Sequence, residues 1–177
     1  MKIWNIAHRK QAMIMSDTTN PFPNDPDRSA IWEMLVSRDI AAFVAADWSM
    51  VADDFIEAEF LGIDGRGSDN PDSWKVGFPT LSAYRDEWLR QAAESAKIAY
   101  AEDRNLGIHR ATTLQHIEIA GDVAIAHKKF DGVLHRADGS KDIMNWQTLY
   151  FVRKRNGKWK LTGFAGYLPF PMGTRKA

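Results

Sequence analysis

The segment that decides the fold runs from Ile143 to Leu168 and reads IMNWQTLYFVRKRNGKWKLTGFAGYL. At its centre lies Asn156-Gly157, a pair that readily adopts the positive φ angles of a two-residue hairpin turn. The sequence therefore predicts two long antiparallel strands, residues 143–155 and residues 158–168, joined at this turn.

A turn at this place fixes the register, so that Arg155 faces Lys158 and Val152 faces Leu161. One face of the hairpin then carries Trp146, Tyr150, Val152, Trp159, Leu161 and Tyr167. The other face carries Leu149, Phe151, Phe164 and Leu168, with Asn145, Gln147 and Thr162. A sheet with one face in water alternates apolar and polar residues, whereas both of these faces are apolar.

We therefore expect a cover on each face of the sheet. Helices can cover one face, and a second copy of the chain would cover the other, which predicts a homodimer formed through the sheet. The alternative is that the N-terminal arm folds over the second face.

Helical patterns precede the strands along the chain. After Pro26, with Asp27 as the N-cap, apolar residues recur at helical spacing, and a second helical stretch covers residues 40–53. A third helix is expected with Thr80 or Ser82 as its cap. A period of two predicts a strand over residues 55–63, and everything after Gly107 has the pattern of an antiparallel sheet. Helices followed by strands predict an α+β class.

The length of 177 residues suits one domain. Residues 1–25 are predicted to form a flexible arm, because the prolines of residues 20–26 cannot sustain a helix or a central strand. The domain itself is expected at residues 26–172, with a short tail at residues 173–177. Translation starts at Met1 or at Met15.

Composition excludes several classes of function. The formal net charge is zero, so the basic footprint of a nucleic-acid-binding protein is missing. Cysteine is absent, which excludes disulfides, thiolate zinc sites and a cysteine nucleophile. We find no run of about 18 apolar residues and no apolar core of a signal peptide, and we therefore expect a cytoplasmic protein without membrane contacts. Lys128-Lys129 is expected at a solvated strand end.

Three features resemble the nuclear-transport-factor-2-like superfamily, in particular its SnoaL-like and ketosteroid-isomerase-like branch. They are the acidic pair in Val51-Ala52-Asp53-Asp54-Phe55, an aromatic third helix after a loop with glycine and proline, and the terminal strand Asn156-Gly157-Lys158-Trp159-Lys160-Leu161. The resemblance covers roughly residues 27–170. It implies three helices packed in a curved, mostly antiparallel sheet, a cone-shaped barrel with one pocket for a small hydrophobic ligand.

The resemblance also implies site residues. In this branch the catalytic base follows the acidic pair by five residues, which places it at Glu59 here, and His127 falls on the pocket-facing side of its strand. A desolvated Glu59 could exchange a proton next to a carbonyl, assisted by His127. The alternatives are a surface Glu59 paired with lysine or arginine, and a hydrogen-bonded core histidine.

Two positions depart from the family pattern. Where the isomerases have an oxyanion-binding tyrosine on the first helix, Ile31 or Asp39 stands here, and Leu149 or Thr148 replaces a second acid. These departures argue against steroid isomerase activity specifically and leave other chemistry open.

Further candidates for substrate contacts are Trp48, Asp131, Asn145, Gln147 and Phe164, although the two amides suit a dimer interface equally well. His127, Asp131 and His135 do not make a metal site, because strand residues four apart are separated by about 13 Å. We thus expect neither a metal nor a cofactor. Two functions fit: a cofactor-free lyase or isomerase (an isomerase, cyclase or dehydratase) for a hydrophobic carbonyl compound, or a non-catalytic ligand-binding or dimerisation module.

Overall fold

A computed structural model of the chain describes residues 19–173. Most of the expected arm, with both candidate start residues Met1 and Met15, lies outside the described residues, and so does the end of the expected tail, residues 174–177.

Residues 19–173 contain four α-helices and six β-strands. The helices are α1 (Pro26–Trp32), α2 (Asp39–Ala45), α3 (Leu81–Ala96) and α4 (Arg104–Ala111). A π-helical segment, Glu33–Arg38, joins α1 to α2 without a break. The strands are β1 (Leu61–Asp64), β2 (Lys75–Phe78), β3 (Thr112–Ala120), β4 (Val123–His135), β5 (Lys141–Arg155) and β6 (Lys158–Leu168).

The six strands form one curled, open sheet in the order β2-β1-β6-β5-β4-β3. Only the β1–β6 pair within it is parallel. The helical run from α1 to α2 packs on the concave face, where Ile31, Leu35 and Ile40 join Ile117 and Val152 in the main core. The expected α+β class and the curved, mostly antiparallel sheet are confirmed.

Several expected bounds were wrong. The N-cap of α1 is Asp25, whose carboxylate accepts the Arg28 backbone N–H at 3.0 Å, whereas Asp27 accepts hydrogen bonds from Lys154 and Trp159. The second helical stretch ends at Ala45, because Ala46 adopts a left-handed conformation with φ 53°. Helix α4 and strand β2 were not predicted.

The hairpin register near Asn156-Gly157 is confirmed, since Arg155 faces Lys158 and Val152 faces Leu161. Beyond these pairs the register shifts by one residue at a bulge, so that Phe151 faces Gly163. Because one added residue moves every following side chain to the other face, Phe164 points to the concave side. The expectation that Phe164 shares a face of the hairpin with Phe151 was wrong.

Gly163 makes this bulge possible, and we predict that Gly163→Ala destabilises the fold strongly. Gly163 has φ 154°, and a Cβ atom there would lie 2.1 Å from the carbonyl oxygen of Leu61 on β1. We expect a loss of roughly 3 kcal/mol in the free energy of unfolding, measured by urea denaturation.

The matched control is Gly139→Ala, which shares the positive φ but has open space around the added methyl group. It should lose only about 1 kcal/mol. Equal losses in the two variants would show that the contact with Leu61 does not constrain the bulge.

Candidate functional site

The concave side of the sheet encloses a cavity of about 280 Å³ between the helices and strands β4–β6, near the lower end of the range for small-molecule sites. Nine of the residues in its wall are aromatic: Phe43, Tyr84, Trp88, Tyr100, Phe130, Trp146, Tyr150, Phe164 and Tyr167. Ionisable and amide groups interrupt this wall at Asp39, Gln91, Lys128 and Asp142.

Lys128 is the most unusual residue in the cavity wall. It lies in the middle of β4, where its side chain is 1% exposed, and its Nζ donates to Asp39 Oδ2 at 2.8 Å; the Asp39 side chain is 31% exposed. The Leu35 carbonyl accepts a second hydrogen bond from Nζ, and the Phe130 ring centroid lies 5.0 Å away. A buried cation needs such partners, and Lys128 is therefore held in one position.

The π-helical segment supplies one of these partners. The Asp39 backbone N–H bonds to the Val36 carbonyl rather than to Leu35, and the Leu35 carbonyl accepts from Lys128. Single π-helical turns inside α-helices often occur at functional sites, because they rearrange backbone groups and turn side chains. Here the segment ends at Arg38, directly before Asp39, whose carboxylate lines the cavity.

Tyr84, Tyr150 and Tyr167 are three of the four tyrosines that share the cavity wall with this carboxylate. Burial raises the pKa of the Tyr84 and Tyr150 hydroxyls well above the ordinary value, and the charge of Asp39 adds to the effect. Burial likewise raises the pKa of Tyr167. All three phenols consequently stay protonated at neutral pH and can donate hydrogen bonds to a ligand oxygen.

The expected pocket-facing side of β4 was wrong. Ala124, Ala126, Lys128 and Phe130 face the concave side and are buried, which puts His127 on the opposite face. There His127 Nε2 lies 2.6 Å from Gln147 Oε1. The solvated strand end expected for Lys128 was wrong for the same reason, because the side chains of β4 alternate in the other phase.

Asp131, Asn145 and Gln147 occupy the same outer face as His127. Asn145 donates to Asp131 at 2.8 Å, and Gln147 Nε2 donates to the Pro169 carbonyl at 2.6 Å. None of the three lines the cavity, although Asn145 borders a neighbouring open cleft.

Glu59 lies at the surface and not in the cavity wall. The expected strand over residues 55–63 is interrupted by a 3₁₀ turn at Glu57–Glu59. Before the turn Phe55 forms a single bridge with Leu161, and the strand itself begins at Leu61. The Glu59 carboxylate pairs with Arg155 at 3.0 Å and with Arg153 at 3.4 Å. This exposed setting removes the desolvation that its expected role as a base required.

The two aromatic candidates differ in position. Phe164 lines the cavity, and its ring centroid lies 5.0 Å from that of Tyr84. Trp48 is not in the cavity wall. Its ring stacks on that of Phe55, with the ring centroids 5.1 Å apart, and packs edge-on against Trp88. Trp48 therefore supports the wall rather than contacting the space inside it.

Sequence reasoning missed the Asp39–Lys128 pair, although a signal for it was present. Ala124, Ala126, Phe130 and Leu134 recur at a period of two on β4, and Lys128 interrupts this apolar row. A lysine in such a row has to find a buried partner. Asp39 was one of two residues at the position of the family's tyrosine. Thr148, one of two residues at the position of its second acid, also lines the cavity.

Within residues 19–173, no three or more side chains of histidine, aspartate or glutamate cluster as metal ligands would. None of the described helices has the length and apolar character needed to cross a membrane.

Known protein families and curated proteins give no match to this chain. Solved structures do match, among them an NTF2-like protein of unknown function from Pseudomonas putida KT2440. It has a TM-score of 0.52 and 18% identity, over 84% of this chain and 91% of that chain. The chain has the nuclear-transport-factor-2-like fold.

Two further solved structures are similar to this chain. An NTF2-like superfamily protein from Salmonella enterica serovar Typhimurium LT2 has a TM-score of 0.50 and 16% identity, covering 83% of this chain and 94% of that chain. A protein from Novosphingobium aromaticivorans, named as a candidate aromatic ring hydroxylase, has a TM-score of 0.50 and 19% identity, covering 79% and 87%.

The two ends of the buried ion pair should differ in their effect on the stability of this NTF2-like domain. Asp39→Leu leaves the cation of Lys128 enclosed with only the Leu35 carbonyl, and we expect a loss of roughly 3–5 kcal/mol. Lys128→Met leaves a carboxylate that the cavity can hydrate, and the loss should be on the order of 1–2 kcal/mol.

Urea denaturation at neutral pH measures both losses. The double variant should recover much of the loss seen in Asp39→Leu, because it removes both charges. A larger loss in Lys128→Met than in Asp39→Leu would contradict the assigned burial of the cation.

Proposed function

We propose that this protein binds a small, hydrophobic carbonyl compound in the cavity and moves a proton next to the carbonyl without a cofactor, as an isomerase, cyclase or dehydratase does. The observation that carries the proposal is the Asp39 carboxylate in an aromatic cavity that also holds three protonated phenols. This activity fits the SnoaL-like and ketosteroid-isomerase-like branch that the sequence resembles.

The residues of the cavity have complementary roles in such a reaction. The Asp39 carboxylate takes a proton from the carbon next to the carbonyl, and the electron pair of that C–H bond moves to the carbonyl oxygen. The hydroxyls of Tyr84 and Tyr150 donate hydrogen bonds to the oxygen as its negative charge develops. Asp39 then returns the proton to another atom of the ligand, and Lys128 keeps the carboxylate in place.

This proposal moves the acid–base role from Glu59 and His127 to Asp39 with the tyrosines. Glu59 pairs with arginines at the surface, and His127 contacts Gln147 on the outer face. Of the substrate-contact candidates, Phe164 keeps that role in the proposal because it lines the cavity.

A second candidate function is passive binding of the same class of ligand. It is favoured by the two hydrogen bonds that already satisfy Lys128, since an ion pair of this kind can be a purely structural feature. Binding without turnover would distinguish this function from the first.

The catalytic proposal predicts exchange of the α-protons of a fitting ketone with deuterium. We expect the protein to accelerate this exchange for 4-phenylcyclohexanone in D₂O, followed by proton NMR. Asp39→Asn should slow the protein-dependent exchange by about 10²–10⁴-fold, and Tyr150→Phe by about 10²-fold.

Glu59→Gln separates the two assignments of the base. It should leave the exchange rate at the wild-type level, and circular dichroism verifies that each variant is folded. A rate that falls with Glu59→Gln and not with Asp39→Asn would restore the base expected from the sequence. Tight ketone binding without any exchange would instead favour the passive function.

We further propose a homodimer formed through the outer face of the sheet. Val123, Ile125 and Phe151 are exposed there, and Ile125 faces Phe151 across the β4–β5 ladder. Apolar side chains grouped on one sheet face are typical of an interface between copies of a chain.

Phe151→Glu should therefore convert the dimer to a monomer in sedimentation velocity at micromolar concentration. The control is Val76→Glu, which changes an exposed apolar residue on edge strand β2 and should leave the dimer intact. A monomeric wild-type protein would contradict the dimer and favour the N-terminal arm as the cover of this face.

A further inference from the structure

The cavity carries a second polar cluster, formed by Ser95, Tyr100 and Asp142 in its wall. The Tyr100 hydroxyl donates to Asp142 Oδ2 at 2.8 Å, and Ser95 Oγ lies 3.5 Å from the same hydroxyl. Arg136 forms an ion pair with the other carboxylate oxygen of Asp142. We call Ser95, Tyr100 and Asp142 the distal cluster.

The distal cluster lies far from Asp39 along the cavity. Tyr84 and Ser95 both line the cavity from α3, and the step of eleven positions from one to the other corresponds to about 16 Å. On β5, Thr148 faces Lys128, the partner of Asp39. The step of six positions from Asp142 to Thr148 corresponds to about 20 Å. The cavity is thus elongated, with polar groups at each end.

The wall between the two ends is apolar apart from Gln91, whose amide contacts Glu87 and Tyr167. Its apolar part includes Phe43, Trp88, Ile108, Phe130, Met144 and Trp146. A ligand that fills the cavity therefore needs a largely apolar body, and most hydrogen-bonding side chains meet it at its two ends.

The two ends also differ in their access to solvent. Ile143, beside the distal cluster, lines the cavity and is 74% exposed, so this end borders the protein surface. At the opposite end Lys128 is buried and the Asp39 side chain is 31% exposed. A ligand entering through the distal end would place its leading group at Asp39 and its trailing group at the distal cluster.

We propose that the ligand is an elongated, uncharged compound with an apolar body, a carbonyl at the leading end and a hydroxyl at the trailing end. The inference rests on the proposed function and adds a second point of recognition to it. The Asp142 carboxylate accepts hydrogen bonds, while Tyr100 and Ser95 both donate and accept. Arg136 already neutralises Asp142, which removes the attraction for a cationic group.

A matched pair of ketones tests this inference by isothermal titration calorimetry. 4-Phenylcyclohexanone and 4-(4-hydroxyphenyl)cyclohexanone differ only in a hydroxyl remote from the carbonyl. We expect the wild-type protein to bind the hydroxylated ketone about three- to tenfold more tightly, because one further hydrogen bond is made at the distal cluster.

Tyr100→Phe and Asp142→Asn should each remove most of this preference. The preference is the ratio of two dissociation constants measured in the same variant. A substitution that weakens binding of both ketones equally therefore leaves this ratio unchanged. The matched control is Tyr84→Phe, which deletes a phenolic hydroxyl at the other end and should keep the preference.

Each outcome bears on a different part of the proposal. Equal affinity for the two ketones in the wild-type protein would overturn the distal cluster as a binding site and leave the proposed function standing. A preference that survives in both Tyr100→Phe and Asp142→Asn would also overturn it. If neither ketone binds, the proposed function fails, and the distal cluster fails with it.

Discussion

Lys128 carries its charge in the middle of a sheet face that is otherwise apolar. Such a charge is tolerated only when acceptors surround it, and the helical run above the sheet supplies two, the Leu35 carbonyl and the Asp39 carboxylate. Because both acceptors lie within or directly after the π-helical segment, the ion pair fixes the helix along the strands. The same contact places a carboxylate in the wall of an aromatic cavity, which is the basis of the proposed chemistry.

The alternation of strand side chains assigns separate tasks to the two faces of the sheet. On β4, Lys128 and Phe130 face the cavity, whereas Ile125 and His127 lie on the outer face proposed as the dimer interface. Ligand binding and assembly thus use neighbouring residues without competing for space. The bulge at Gly163 adds Phe164 to the cavity wall, which a regular strand would have turned outward.

The amino-acid sequence predicted the α+β class and the hairpin register close to Asn156-Gly157, because turn chemistry acts locally. It did not predict the bulge, because Gly163 is needed only where Leu61 of a distant strand packs on it. His127 was placed on the wrong face by positional comparison with the family, and periodicity could not correct this because both faces of β4 carry apolar residues. Glu59 was misplaced because counting from Asp54 assumed a continuous strand, which the turn at Glu57–Glu59 interrupts.

A crystal structure of the protein with 4-phenylcyclohexanone bound tests the central claim most directly. We predict that the ketone lies in the cavity with its carbonyl oxygen within about 3 Å of the Tyr84 or Tyr150 hydroxyl, and with the Asp39 carboxylate facing an α-carbon. A ketone bound on the outer face or beside Glu59, with the cavity filled by water, would contradict the assignment of Asp39 and its buried partner Lys128 to the functional site.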